Sequence, residues 1–277
     1  MGFFLLCGIL YIAYNYIKKD TMECNKMDTK IKIFNDESAI IGMRKAGKLA
    51  KSVLDYIEDY VKEGITTGEL NDLCHKFIID NNAIPAPLNY KGFPKSICTS
   101  VNEVICHGIP GSYVLKSGDI LNIDVTVILD GWYGDTSRMF KVGKCTKLAE
   151  NLIEVTKRSL YIGIDAVKSY GYFGDIGKAI QKYIDTTGYS IVRDYGGHGI
   201  GNYFHGDPFV AHYDTGLRGE QILPGMFFTI EPMINVGKFK TRLLKDDWTV
   251  VTVDKSLSAQ FEHTLAVTEN GIEILTE

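Results

Sequence analysis

The sequence predicts an α/β (α+β) fold built as two similar halves, each running helix, helix, strands, and three observations carry that prediction. The helix–helix–strand order occurs once from Lys32 onward and again from about Leu148. A strand pair spans Ile120 to Val142 around an Asp130-Gly131 turn signal. Each half supplies two acids set among apolar residues: Asp124 and Asp135 in the first, Glu231 and Glu262 in the second. With His198 these make four carboxylates and one imidazole. That is more negative charge than one pocket holds unless cations neutralise it, because like charges close together resist ionisation. The expectation is a pseudo-two-fold fold with a two-metal hydrolytic centre at the seam.

The first helix is indicated by Ile40, Ile41, Leu49, Val53, Leu54, Ile57 and Val61 near helical spacing, with Gly64 as its stop. Thr66-Thr67-Gly68-Glu69 then forms a capping box, in which the Thr and Glu side chains each satisfy an open backbone N–H, for a second helix through about Asn81. The strand pair follows. With Asp130 and Gly131 as its two-residue loop, Leu129 faces Trp132, Asp124 opposes Ser137 and Asp135 opposes Thr126. Side chains alternate along a strand, so the two aspartates share a face as diagonal neighbours roughly 7 Å apart. Their carboxylates can then meet on metals about 4 Å apart. In the second half, helices are expected from about Leu148 to Lys168 and from Gly174 to Thr187. Two further strands, within Met226 to Ile234 and Phe261 to Val267, each deliver one inward acid, and Asn270-Gly271 marks another turn. No Lys or Arg lies within either glutamate's stretch as a local partner, and an unpaired buried carboxylate is costly.

These motifs carry a resemblance. Five segments occur in the order and at the intervals of the methionine aminopeptidases: Lys95 to Pro110 (K-S-I-C-T-S-V-N-E-V-I-C-H-G-I-P), Asn122 to Arg138 (N-I-D-V-T-V-I-L-D-G-W-Y-G-D-T-S-R), Gly196 to Gly201 (G-G-H-G-I-G), Thr229 to Met233 (T-I-E-P-M) and Ser256 to Thr264 (S-L-S-A-Q-F-E-H-T). The chain is similar to the shorter, bacterial-like type I from about Phe34 to Leu275. Only Asn202 to Phe228 separate Gly201 from the T-I-E-P-M segment, where the longer type II enzymes carry an insertion.

The resemblance implies the pita-bread fold and an enzyme that removes an N-terminal methionine followed by a small residue, by metal-activated water attack on the first peptide bond. It further implies that Asp124 chelates one metal, that Asp135 and Glu262 bridge both, and that His198 and Glu231 complete the shell of the other, Glu231 also being the general base. The cofactors expected are two divalent ions. Oxygen-rich ligation with one imidazole suits Mn, Fe(II), Co or Zn alike. His205 is implied to polarise the scissile carbonyl and His107 to contact the amide at the cleavage point. Tyr90, Phe93, Cys98, Phe204 and Trp248 match the family's methionine pocket, Phe93 standing where a second tyrosine is common.

A chain of 277 residues fits one large α/β unit, and 30 basic against 34 acidic side chains offer no electrostatic case for nucleic acid binding. The six cysteines lack C-x-x-C spacing and read as reduced thiols of a cytoplasmic protein. Residues 31–277 are read as the catalytic domain and residues 1–30 as a leader. Phe3 to Ile17 is apolar or aromatic except for Gly8 and Asn15, and Lys18-Lys19 follow. That run is shorter than the roughly 20 residues that cross a bilayer comfortably. Three readings stand for it: a short membrane anchor, an unstructured extension, or translated sequence upstream of a start at Met22 or Met27. Nascent polypeptide N-termini are the expected partners, with the ribosome a further candidate, a membrane contact through residues 3–17, and a monomeric state.

Other chemistries fit less well. Gly196 to Gly201 does not satisfy the G-x-G-x-x-G of a nucleotide loop, and Ser137, Ser256 and Ser258 lack the G-x-S-x-G elbow of a serine hydrolase. Two alternatives share the fold. A proline-directed peptidase usually carries an additional N-terminal domain, whereas only about 30 residues precede the match here. A catalytically dead binding protein is expected to have lost ligands, and all five are present.

Overall fold

The computed structural model describes residues 31–277; the leader, with Cys7, Cys24, Met22 and Met27, lies outside the described residues. The first half opens with helix α1 (Glu37–Glu58), whose first turn is capped by Asp36 accepting the Ser38 N–H at 3.0 Å. Helix α2 (Thr67–Asp80) begins with the predicted capping box. The Glu69 N–H donates to Thr66 Oγ1 at 3.1 Å and the Thr66 N–H to Glu69 Oε2 at 2.8 Å. α1 stops at Glu58, short of the expected Gly64, and Val61 lies beyond it. The chain leaves the helical path there to pair with a distant segment: Gly64 N–H donates to Leu115 O at 2.9 Å and Leu115 N–H to Ile65 O at 2.8 Å. Helices α3 (Lys147–Ala166) and α4 (Phe173–Ile184) open the second half close to their predicted bounds.

Strands of the first half are β1 (Ile84–Pro85), β2 (Cys98–Val101), β3 (Val104–Cys106), β4 (Ile120–Leu129) and β5 (Trp132–Lys141). Those of the second are β6 (Ser190–Ile191), β7 (Gly197–Gly199), β8 (Gly206–Val210), β9 (Phe227–Ile230), β10 (Met233–Asn235), β11 (Thr241–Leu243), β12 (Val250–Thr252), β13 (Ser258–Gln260), β14 (His263–Thr268) and β15 (Gly271–Ile274). β4 pairs along its length with β5 and on its other edge with β2 and β1. The second half holds a five-stranded sheet, β15-β14-β9-β7-β8, and a three-stranded one, β13-β10-β6; β11-β12-β3 joins the halves.

The β4–β5 register is the predicted one: Leu129 faces Trp132, Asp124 faces Ser137 and Thr126 faces Asp135. Asp130 and Gly131 take φ of 51° and 83°, as a type I′ loop requires at both central positions. The last hairpin differs slightly from expectation. Thr268 pairs with Gly271, so its two-residue loop is Glu269-Asn270, and Gly271 begins β15.

Each half has its own core. Leu54, Ile57, Leu70 and Ile78 of α1 and α2 pack against Leu121, Ile123, Val125 and Val127 of β4. Leu152, Leu160, Ile164 and Ile180 of α3 and α4 pack against Phe228, Ile230, Ile234 and Leu265. Burying one such side chain stabilises by about 1.5–3 kcal/mol, so the odd positions of β4 are committed to the helices. Its even positions, Asn122, Asp124 and Thr126, are thereby turned to the seam, and a one-residue slip would exchange the two sets.

Hydrogen bonds tie the halves across that seam, among them Asn122 Nδ2 to Gln260 O (2.9 Å), Thr136 Oγ1 to Glu262 O (2.7 Å), Thr264 Oγ1 to Asp135 O (2.7 Å) and Glu262 N to Ser137 O (3.1 Å). The two glutamates depart from the sequence expectation. Glu231 and Glu262 do not sit within strands but in the breaks between β9 and β10 and between β13 and β14. The backbone leaves the five-stranded sheet for the three-stranded one at Glu231 and returns to it at Glu262, which turns both carboxylates inward. Among the described residues, no helix is long and apolar enough to cross a membrane.

Candidate active site

The seam opens into a cavity of about 380 Å³. All twelve side chains singled out from the sequence line it: Asp124, Asp135, His198, Glu231 and Glu262; His107 and His205; Tyr90, Phe93, Cys98, Phe204 and Trp248. The hairpin supplies the two aspartates, and Asp135 is fixed by Thr126 Oγ1, which donates to its Oδ1 at 2.7 Å. β7 supplies His198 between two glycines. A Cβ on Gly197 would strike the Thr229 carbonyl and one on Gly199 the Asp207 carbonyl, so β7 lies close to its neighbours only because both flanking residues lack one.

Ligand atoms of Asp135, His198 and Glu262 all lie within 4.8 Å of one another. His198 Nδ1 lies 3.1 Å from the Gly199 carbonyl. A carbonyl only accepts, so Nδ1 carries the proton and Nε2 presents a lone pair. That lone pair stands 3.6 Å from Asp135 Oδ2 and 3.7 Å from Glu231 Oε1. Burial lowers the His198 pKa to about 4, so the ring is neutral and these contacts are not ion pairs. Two carboxylate oxygens converging on one imidazole lone pair at these distances suit a cation, for donor atoms about 2.0–2.2 Å from one ion fall at such mutual spacings.

The carboxylates point the same way. Burial first, and then their mutual repulsion, hold Asp135, Glu231 and Glu262 well above the usual carboxylate range; burial raises Asp124 to about 7. Among the described residues, none of the four pairs with Lys or Arg. Buried polar atoms along the same seam, Asn122 Oδ1, Ser137 Oγ and Gln260 Oε1, have no protein partner. The donor set therefore fits divalent cations, which would favour the ionised carboxylates.

Glu231 is the most firmly held of the acids. Thr229 Oγ1 donates to its Oε1 at 2.8 Å and Gln260 Nε2 to its Oε2 at 3.1 Å. The same Thr229 hydroxyl accepts the His198 N–H at 3.1 Å, linking the two ligand candidates. His205 stacks on Phe204 with ring centroids 3.9 Å apart and tilts against His198 at 4.3 Å, and its Nδ1 lies 3.0 Å from Tyr90 Oη. Desolvation within the cavity lowers the pKa of His205 although its ring keeps solvent contact, and burial brings that of His107 to about 4, so the His107 ring is neutral.

The cavity wall also carries aromatic rings. Phe93 meets Trp248 edge to face at 5.1 Å, and Tyr90 tilts against Phe204 at 4.8 Å. Burial drives the Cys98 thiol well up, which leaves it a packing group and not a nucleophile. The reading from sequence missed several residues. Tyr195, Cys106 and Met233 also line the cavity. Fully buried His212 accepts the Glu231 N–H on Nε2 at 3.0 Å, and burial takes its pKa down to about 3. None of these lies in a spacing that separates it from an ordinary core residue.

The model of Metallopeptidase family M24 matches residues 41–269. The chain is 59% identical over 241 residues to a methionine aminopeptidase of Rickettsia prowazekii, covering 87% of this chain and 93% of that protein. It is 55% identical over 236 residues to that of Escherichia coli, covering 84% and 89%. Among solved structures, the Rickettsia prowazekii methionine aminopeptidase superposes with a TM-score of 0.88 at 59% identity, covering 90% of this chain and all of that one (100%). The Thermotoga maritima methionine aminopeptidase gives 0.87 at 36% identity, covering 90% and 100%. A prolidase of Pyrococcus furiosus shares the fold, with a TM-score of 0.70 at 20% identity, but this chain spans only 65% of it. The expected pita-bread architecture is thus the one observed. Matched over most of its length in sequence and in fold, the chain belongs to metallopeptidase family M24 and, within it, to the methionine aminopeptidases.

Proposed function

We propose that the seam cavity is the active site of a metal-dependent methionyl aminopeptidase that removes the N-terminal methionine from nascent polypeptides whose second residue is small. The observation that carries this reading is the convergence of Asp135, His198 and Glu262 within 4.8 Å, beside an aromatic-walled pocket in the same cavity. In this reading Asp124, Asp135, His198, Glu231 and Glu262 would hold the divalent ions, with Mn, Fe(II), Co and Zn all compatible with the donors. Bound there, such ions lower the pKa of water and polarise a carbonyl.

The chain's own groups do the rest. Glu231, its two oxygens oriented by Thr229 and Gln260, takes the proton of the attacking water and passes it to the leaving amine. With Tyr90 Oη 3.0 Å from Nδ1 of His205, the tautomer in which Nδ1 accepts the Tyr90 hydrogen leaves Nε2–H to donate to the scissile carbonyl as negative charge develops on its oxygen. His107 contacts the amide being cleaved. The free α-amine is placed at the Asp124 end, so only the first residue is removed.

Specificity follows from shape. The methionine thioether packs among Tyr90, Phe93, Cys98, Phe204 and Trp248, with sulfur–aromatic contacts of about 0.3–1.5 kcal/mol each. The second side chain passes between the metal site and the imidazoles of His107 and His205, so small side chains are accepted and large ones excluded. Met-Gly, Met-Ala and Met-Ser peptides are expected to be cleaved well. Met-Lys and Met-Phe should fall below them by more than the 10–200-fold that one methylene is worth. Trp248→Ala should admit leucine at the first position while metal content stays unchanged. Equal kcat/KM for Met-Ala-Ser and Met-Lys-Ser would overturn this account, and release of products from Xaa-Pro peptides alone would favour the proline-directed alternative.

Residues 31–277 are taken as the catalytic domain of a cytoplasmic monomer that meets its substrates at the ribosome. Residues 3–17 are taken as a short membrane tether on the strength of their apolar run and the lysines that follow. Full-length protein should then sediment with membranes, while a chain starting at Met27 stays soluble and equally active. Finding both forms in the supernatant would reject the tether.

A further inference from the structure

Glu231 occupies an awkward place in the backbone. β9 ends at Ile230, paired with His263, and β10 resumes at Met233, paired with Gln260. Between them the chain changes sheets through Glu231 and Pro232. Proline has no N–H, so Glu231 carries the only backbone donor of that crossing, with no ladder partner for it, and a buried N–H must find an acceptor. The acceptor is a side chain from another part of the fold: Nε2 of His212, just beyond β8, 3.0 Å away. His212 is 1% exposed, and its other nitrogen, Nδ1, has no partner. A buried imidazole that satisfies one nitrogen and strands the other is a poor core residue. Leucine or methionine would fill the volume without that cost.

We infer that His212 is a positioning residue: by accepting the Glu231 N–H it fixes the sheet-crossing backbone from which the Glu231 carboxylate reaches the cavity. This rests on the role given to Glu231 above. The carboxylate oxygens are already steered by Thr229 and Gln260, but those contacts orient the end of a side chain whose root can still shift. His212 holds the root. A displacement near 1 Å at a reacting group can cost about 10²-fold in rate, so a single backbone hydrogen bond is enough to matter.

Three substitutions separate this from mere packing. His212→Gln places an amide oxygen where Nε2 lies, His212→Asn places one only as far as Nδ1, and His212→Leu fills the space with no acceptor. Each protein is assayed with Met-Ala-Ser at saturating Mn(II), titrated with Mn(II) by calorimetry from the metal-free state, and melted. The Asn and Leu variants should lose about 10–10²-fold in kcat with KM little changed, and should bind Mn(II) about tenfold more weakly. The Gln variant should recover most of both.

Equal loss in all three, tracking their melting temperatures, would make His212 a packing residue and overturn the inference. So would kcat and Mn(II) affinity near those of the unaltered protein in the Asn variant. If the unaltered protein releases no methionine, the aminopeptidase reading fails by itself, and the Mn(II) titrations still decide whether His212 places Glu231. Should the Leu variant not fold, the Gln–Asn comparison carries the test.

Discussion

Asp135→Asn is expected to abolish turnover and to strip metal from the protein while leaving the far-UV circular dichroism intact. Asp135 is the most central of the five ligand candidates. It lies within reach of His198 Nε2 at 3.6 Å, belongs to the tight group with Glu262, and is held in place by Thr126 at 2.7 Å. An amide keeps the shape and one acceptor oxygen but contributes no charge and turns two hydrogens towards cationic sites. Removing the partner of a ligand typically costs 10–100-fold in metal affinity; removing a ligand itself, as Asp135 is proposed to be, should exceed that. The fold is spared because the Asp135 side chain is not in either apolar core. Its backbone carbonyl, which accepts from Thr264 across the seam, is untouched. Inductively coupled plasma measurement of metal per chain, with a Met-Ala-Ser assay, checks both halves of the expectation. Two ions and normal turnover in the variant would remove Asp135 from the centre.

Glu231→Gln should lose about 10²–10⁴-fold in kcat, the range of a general acid–base contribution, with a smaller effect on stability. Glutamine can still accept from Thr229, but its amide group must then face the Gln260 Nε2 donor or the cavity, so one of the two orienting contacts is lost as well. The loss should appear in kcat and kcat/KM together, because proton transfer belongs to the transition state and not to substrate binding. A near-normal kcat would take Glu231 out of the chemistry and leave it a structural acid.

The Asp124–Asp135 arrangement was readable in the sequence because an Asp-Gly two-residue loop pins register, and register pins which side chains share a face. The capping box at Thr66 was readable for a similar reason, its two bonds being local. The ends of α1 and of the glutamate-bearing strands were not, because both are decided by tertiary pairing. Gly64 and Ile65 are drawn off to Leu115, and the ladders stop at Glu231 and Glu262 because the chain changes sheets. Apolar patterning continues through those breaks, so no period marks them. His212 was missed for the plainest reason: a lone histidine after a strand has no spacing partner, and its acceptor role exists only once residue 231 is beside it.

The seam that joins Asn122 to Gln260 brings together positions 138 residues apart in the chain, and this separation sets when the enzyme can exist. A ribosome adding roughly 5–20 residues per second makes Asp124 and Asp135 on the order of ten seconds before Glu262. Through that interval the first core can assemble while its two aspartates wait on one open face without their counterparts. Activity should therefore arrive late and all at once, as the last strands dock. Any product of premature termination before Glu262 would lack one of the four acids and be inert towards the neighbouring nascent chains on which the finished enzyme acts.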